Sequence, residues 1–177
     1  SHNSLTSLDL TQNPLLEELV VQKFTTSPTS LTSVNLSQNP LLKLIALIGH
    51  PQLTSIDLTQ NPQLQQVNLG GNGLTSLNLS NNPVVTYLAI DHQNFSGGIN
   101  LTNQPLLETL HASDAMLSSL NLSANTNLKY LTLTNNYLTS INLSMLPQLF
   151  RFDAGNNLFT NIDLSNNPGI RYVSFLS

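Results

Sequence analysis

One string recurs along this chain and constrains everything else: Leu-x-x-Leu-Asx-Leu-Ser/Thr-x-Asn-Pro. It opens as LTSLDLTQNP from Leu5 and returns as LTSVNLSQNP, LTSIDLTQNP, LTSLNLSNNP, SGGINLTNQP, LSSLNLSANT, LTSINLSMLP and FTNIDLSNNP. The Leu after each Asx falls at Leu10, Leu36, Leu58, Leu79, Leu101, Leu122, Leu143 and Leu164, spaced by 26, 22, 21, 22, 21, 21 and 21 residues. The repeat is therefore 21 residues long, with one five-residue insertion within Thr25–Ser30 and two single-residue ones. Eight phased copies of a unit this short mark an array in which each unit packs on its neighbours.

The second half of each unit carries a similar pattern. Counting from the anchor Leu, apolar residues stand at positions 6, 9 and 11, from Leu16/Leu19/Val21 to Ile170/Val173/Phe175. Asn follows at position 14 in the cleaner copies, as Asn72, Asn136 and Asn157. Within Leu-x-Leu the apolar period is two, which is a strand signal. Asn-Pro breaks the chain between strands. A half-repeat is too short for an ordinary helix of about ten residues plus its turns. Each unit is thus expected to be two short strands joined by two bends. One unit cannot bury its own Leu face, and stacking is what buries it. Parallel rungs at about 4.8 Å give a body roughly 35–40 Å long.

The LTSLDLS-x-NP-x-L half followed by LxxLxLxxN, as in LTSLNLSNNPVVTYLAIDHQN from Leu74 to Asn94, resembles the leucine-rich repeat family. The resemblance runs from Leu5 to Phe175 and is to the 21-residue bacterial type of internalin-J-like surface proteins and similar proteins of Bacteroidetes. It implies a right-handed curved solenoid, mainly β with little or no helix, its LxxLxLxxN strands forming a parallel concave sheet. It also implies a secreted or cell-surface bacterial protein. Many such proteins carry Cys at position 11, where this chain has Val21, Leu69 and Leu133.

Composition removes several function classes. The chain has five Lys+Arg against nine Asp+Glu, so no basic stripe is available to neutralise the phosphates of a nucleic acid. No apolar run is long enough to span a membrane. With no Cys there is no disulfide framework, thiol nucleophile or thiolate metal site. No HxxxH or HxH pair suggests a metal, and none of the bend glycines sits in a phosphate-loop motif. His2 is terminal, and His50 and His92 stand at bends. His111 points outward from a strand, with Ser113 and Asp114 near it in sequence, but without the chain of hydrogen bonds and oxyanion hole that nucleophilic catalysis needs. No enzyme, cofactor or metal is expected. Six N-x-Ser/Thr sequons occur, at Asn35, Asn78, Asn94, Asn100, Asn121 and Asn142, and all but Asn94 follow from the repeat itself, since Asp9, Asp57 and Asp163 take the same column. The Asn of the Asn-Pro bends (Asn13, Asn39, Asn61, Asn82, Asn125, Asn167, broken by Gln104 and Leu146) reads as a buried ladder along the axis. The alternative for that column is a sugar-binding row.

Residues 1–177 form one repeat domain in this reading. Ser1–His2 resembles a tag scar, and neither end shows a polar cap, which points to a fragment of a longer protein. The outward columns of the second-half strands carry what remains of a functional signal. One column reads Glu18, Leu44, Gln66, Tyr87, Thr109, Tyr130, Arg151, Tyr172. Its neighbour runs Glu17, Lys43, Gln65, Thr86, Glu108, Lys129, Phe150, Arg171, and a third contains His111 and Asp153. Tyr130, Arg151 and Tyr172 are expected to stack, with Lys129, Phe150 and Arg171 beside them. Tyr and Arg dominate interface hot spots, while cation–π stacking within the row would make it a self-satisfied ladder. Leu44, Ala46 and Ile48 face outward in the second unit, as an interface or as a patch under the insertion. The ligand-binding candidates are Tyr87, His111, Lys129, Tyr130, Phe150, Arg151, Asp153, Arg171 and Tyr172, facing a protein or glycan. The other reading is a structural spacer or targeting arm.

Overall fold

The computed structural model describes residues 5–22 and 30–176. The repeat period becomes rungs of a solenoid. The described residues form ten strands and no helix: β1 (Ser7–Asp9), β2 (Glu18–Gln22), β3 (Ser33–Asn35), β4 (Leu44–Ile48), β5 (Gln66–Asn68), β6 (Tyr87–Ala89), β7 (Thr109–His111), β8 (Tyr130–Thr132), β9 (Arg151–Asp153) and β10 (Tyr172–Ser174). β2 and β4 to β10 make one parallel sheet in sequence order, while β1 and β3 pair separately. Residues a whole repeat apart pair directly, so Tyr87 lies beside Thr109, Thr109 beside Tyr130, Tyr130 beside Arg151 and Arg151 beside Tyr172. Side chains of alternate residues on a strand point to opposite faces, and the partners of every rung agree on which face is which.

The inward columns make one continuous core. Leu42, Ile45 and Leu47 lie under Leu64, Val67 and Leu69, and the series runs on through Leu128, Leu131 and Leu133 to Leu149, Phe152 and Ala154, all buried. The insertion expected within Thr25–Ser30 lies outside the described residues except for Ser30, as do Ser1 and His2. The second strand of each unit is an assigned strand only in the first two units, where Ser7, Leu8 and Asp9 pair with Ser33, Val34 and Asn35. In later rungs the corresponding segment carries no ladder. Rungs pinned at hydrogen-bonding distance on one side are free to fan apart on the other, and the ladder there is lost first.

Two polar ladders hold the bends. Asn61 Nδ2 donates to Leu36 O (3.1 Å) and Asn39 O (2.9 Å) of the preceding rung, and Asn82 Nδ2 to Leu58 O (3.0 Å) and Asn61 O (2.9 Å). Asn39, Asn125 and Asn167 repeat the arrangement, and Gln104 keeps one of the two bonds. From Asn39 on these side chains are buried with their amide N–H groups on backbone carbonyls, which supports the structural reading of the column; Asn13 is exposed. Leu146 fills the same position by packing alone, fully buried. The second ladder lies at the far end of the sheet strands. Asn72, Asn136 and Asn157 each donate across to the preceding rung and within their own, and Gln93 takes the same place. His50 belongs to this column too. It is buried, its Nδ1 accepts from Leu31 N–H (3.3 Å), and its Nε2 lies 3.2 Å from Val21 O.

The Asx of the anchor string has a local task. In each rung its Oδ1 accepts the N–H two residues on, as in Asp57 to Thr59 (2.9 Å) and Asn121 to Ser123 (3.0 Å). Asp and Asn make this turn equally well, which is why the column interchanges them. The bonds from Thr11, Thr59 and Ser165 hold the carboxyls of Asp9, Asp57 and Asp163 below the usual carboxylate range.

Candidate functional site: the outer face of the eight-stranded sheet

Strands β6 to β10 carry Tyr87, His111, Tyr130, Arg151, Asp153 and Tyr172, with Lys129, Phe150 and Arg171 immediately before β8, β9 and β10, and the parallel register sets successive strands one rung apart. Tyr87 and His111 are ring neighbours (5.7 Å between centroids), and His111 Nδ1 lies 3.1 Å from Thr132 Oγ1. Burial pushes the Tyr87 hydroxyl above its ordinary pKa, and the nearby Asp91 carboxylate adds to the effect. The expected stack of Tyr130, Arg151 and Tyr172 resolves into two pairs. Tyr130 meets Phe150 edge-on at 5.9 Å, and Arg151 lies over the Tyr172 ring at 4.2 Å. Arg151 Nε also donates to Asp153 Oδ2 at 2.6 Å, and this bond holds the guanidinium proton even more firmly than usual. Asp153 is mostly buried whereas Arg151 stays half-exposed. Lys129 pairs with Glu108 at 3.0 Å, as Lys43 does with Glu17 at 2.7 Å. Arg171 lies exposed beside them and makes no ion pair among the described residues.

Electrostatically the face is close to neutral, because most of its charges are paired within it. Its exposed area is aromatic: Tyr130, Phe150 and Tyr172 each leave two-fifths or more of their surface open. Tyr130 and Tyr172 stand on strands, and Phe150 stands directly before β9 with its N–H bonded to Lys129 O at 2.8 Å, so the order of the rings is set before any partner arrives. The arrangement presents open aromatic rings among mostly paired charges. His111 bonds Thr132 rather than Ser113, whose N–H donates to Asp91 Oδ1 (2.8 Å), and Asp114 bonds Asn135 (3.0 Å). Among the described residues no group of three His, Cys, Asp or Glu could hold a metal, and no helix is long and apolar enough to cross a membrane. At the other end of the sheet Leu44, Ala46 and Ile48 are half-buried, and Val20, paired with Ala46, is exposed.

Sequence reasoning missed one feature. At position 15 after the anchor Leu the later rungs carry Met116, Tyr137 and Leu158, a row of exposed apolar side chains on the loops after β7, β8 and β9. Earlier rungs have Pro51, Gly73 and Asn94 there. The change of character in that column was the available signal.

Comparison with known proteins agrees with this geometry. A family model described as Leucine Rich Repeat matches residues 127–149. No curated protein matches the chain. Among solved structures, the functional domain of InlJ from Listeria monocytogenes, which includes a cysteine ladder, is 26% identical over 95% of this chain and 41% of its own, with a TM-score of 0.75. An internalin, InlF, from the same species is 23% identical over 89% of this chain and 47% of its own, with a TM-score of 0.79. A leucine-rich repeat protein of Leptospira interrogans is 18% identical over 92% and 50%, with a TM-score of 0.63. The chain thus spans half or less of the length of each. This chain has no Cys, and its buried column at position 11 includes Leu47, Leu69 and Leu133.

Proposed function

Because a leucine-rich repeat model matches residues 127–149 and the chain resembles the InlJ functional domain over 95% of its length, we propose that it is a non-enzymatic interaction module of leucine-rich repeat type whose protein partner sits on the outer face of the eight-stranded sheet, between Tyr87 and Tyr172. One observation carries this reading. Tyr130, Phe150 and Tyr172 remain open to solvent on adjacent rungs although all three are large and apolar, and they stand beside the unpaired Arg171. Such aromatic and Arg groupings are what interfaces concentrate. Held on strands or directly beside them, they lose little freedom on binding. The pairing of Lys129, Arg151 and Asp153 within the face favours a partner read by shape and aromatic contact over one read by charge. The shortage of cations argues against a nucleic-acid partner. Likeness to listerial internalins supports a secreted or surface-attached bacterial protein with an adhesive role.

The competing reading is a spacer whose sheet face binds nothing. It is favoured by the Arg151–Tyr172 and Arg151–Asp153 contacts, which satisfy those groups without a partner. Probing a protein array with the wild type and with the double variant Tyr130→Ala/Tyr172→Ala separates the two. A partner on this face loses about 2 kcal/mol or more of affinity in the variant, the loss expected for hot-spot residues. Partners bound equally by both proteins would remove the site.

A further inference from the structure

The loops that follow β7, β8 and β9 lie outside the sheet face, and we infer that they form a second, shallow site for an uncharged saccharide, centred on Tyr137. A depression of about 410 Å³ opens there, lined by Asp114, Met116, Asn135, Asn136, Tyr137 and Asn156. Tyr87, Tyr130 and Tyr172 all have a ring or cation partner, whereas Tyr137, 57% exposed, has none among the described residues. Its ring face is available for the C–H face of a pyranose, the kind of apolar body with polar margins that tyrosine suits.

The polar groups around it are already placed. Asn156 Nδ2 donates to Asn135 Oδ1 (2.7 Å), and Asn135 Nδ2 donates to Asp114 Oδ1 (3.0 Å). Each amide keeps a second N–H, the Asn156 oxygen keeps its lone pairs, and Asp114 Oδ2, 3.4 Å from His92 Nδ1, keeps one toward the depression. Donors and acceptors thus alternate along the row, which matches hydroxyl groups that both give and take hydrogen bonds. The chain of bonds also fixes the rotamers in advance, lowering the ordering cost on binding.

The fold itself does not require these side chains. Asp114, Asn135 and Asn156 have φ of 53°, 58° and 53°, the left-handed region. Two earlier rungs meet the same demand with Gly49 and Gly71, at φ of 79° and 70°. Glycine suffices there, so the amides and carboxylate of the later rungs exceed what the bend needs. No Lys or Arg lines the depression, and the Asp114 carboxylate disfavours an anion. The ligand is therefore an uncharged sugar rather than a sulfated or sialylated one.

Saturation-transfer NMR tests this with a panel of soluble neutral oligomers of glucose, galactose, mannose and N-acetylglucosamine. At least one is expected to receive saturation and to give a dissociation constant by titration. Tyr137→Ala is expected to weaken that constant about ten-fold or more. Asn135→Gly is expected to weaken it as well while keeping the left-handed bend unstrained, and Tyr130→Ala is expected to leave it unchanged. The inference is overturned if no oligomer in the panel binds, if Tyr137→Ala binds as the wild type does, or if the depression takes a peptide and no sugar. None of those results bears on the sheet face, which the Tyr130/Tyr172 variant tests separately.

Discussion

Replacing Asn82 by Asp changes one NH₂ to an oxygen with almost no change of shape, and it probes what holds the rungs in register. Asn82 is fully buried, and its Nδ2 donates to Leu58 O at 3.0 Å and Asn61 O at 2.9 Å. Both carbonyls also hold a turn bond, from Asn61 N–H and Leu64 N–H, so neither is fully orphaned by the change. The carboxyl must bind a proton to avoid placing a charge against two carbonyl oxygens. Holding a group of ordinary pKa near 3.9 protonated at pH 7 costs about 4 kcal/mol, at 1.36 kcal/mol per unit. The neutral acid then restores only one of the two donated bonds, a further loss of about 1 kcal/mol. The expected destabilisation is about 4–5 kcal/mol at pH 7 and about 1 kcal/mol near pH 4. The sign follows from a folded-state pKa raised above the unfolded one. The variant's relative stability is present below about pH 4 and is lost as pH rises. In thermal melts this is a drop of roughly 8–20 °C at pH 7, at about 2–4 °C per kcal/mol for a chain of this size. Asn81→Asp is the control, since Asn81 is exposed and makes one bond, to Thr59 O at 3.1 Å. The reasoning is refuted if Asn82→Asp melts no lower than Asn81→Asp, or if its deficit is the same at pH 4 and pH 7.

Other outcomes follow from the same geometry. A Cβ on Gly73 would collide with Pro51 O, a backbone atom that cannot yield, so Gly73→Ala is expected to lower the melting temperature by several degrees, about 2 kcal/mol or more. Gly97 has open space where its Cβ would go and no left-handed φ; Gly97→Ala is expected to raise stability by about 0.4–1 kcal/mol, read by urea unfolding. Asp57→Asn is expected to melt with the wild type at pH 7, within about 2 °C, because other rungs make the same turn with Asn. Below about pH 4 the variant should lose less than the wild type, since the lowered Asp57 carboxyl contributes stability only above its unfolded pKa.

Much of the architecture was legible because a repeat states its own register. The spacing of Leu10, Leu36, Leu58 and their successors already placed Tyr87, Thr109, Tyr130, Arg151 and Tyr172 in one column, and the parallel pairing puts them there. What spacing cannot convey is side-chain direction. Tyr130 turns to Phe150 and Arg151 to Tyr172, a choice among rotamers settled by Asp153, the acceptor two residues from Arg151. His50 stands before Pro51, where the sequence signals only a bend. It nonetheless does the column's work, as a buried ring with a nitrogen toward each of two backbone groups. The Met116–Tyr137–Leu158 row escaped notice because its column holds Pro, Gly and Asn in other rungs, so no period announces it. The missing ladder on the second side has a different cause. Rung spacing there depends on how the stack fans, a property of the assembled solenoid and not of one repeat.

Hydroxyl-radical footprinting of the protein, free and bound to a partner captured on the array, tests the central claim most directly, since it reports each exposed aromatic separately. The account predicts that Tyr130, Phe150 and Tyr172 lose reactivity together in the complex while Leu15, exposed on the first rung, keeps its own. A tightly bound partner that leaves those three rings as reactive as in the free protein would contradict it.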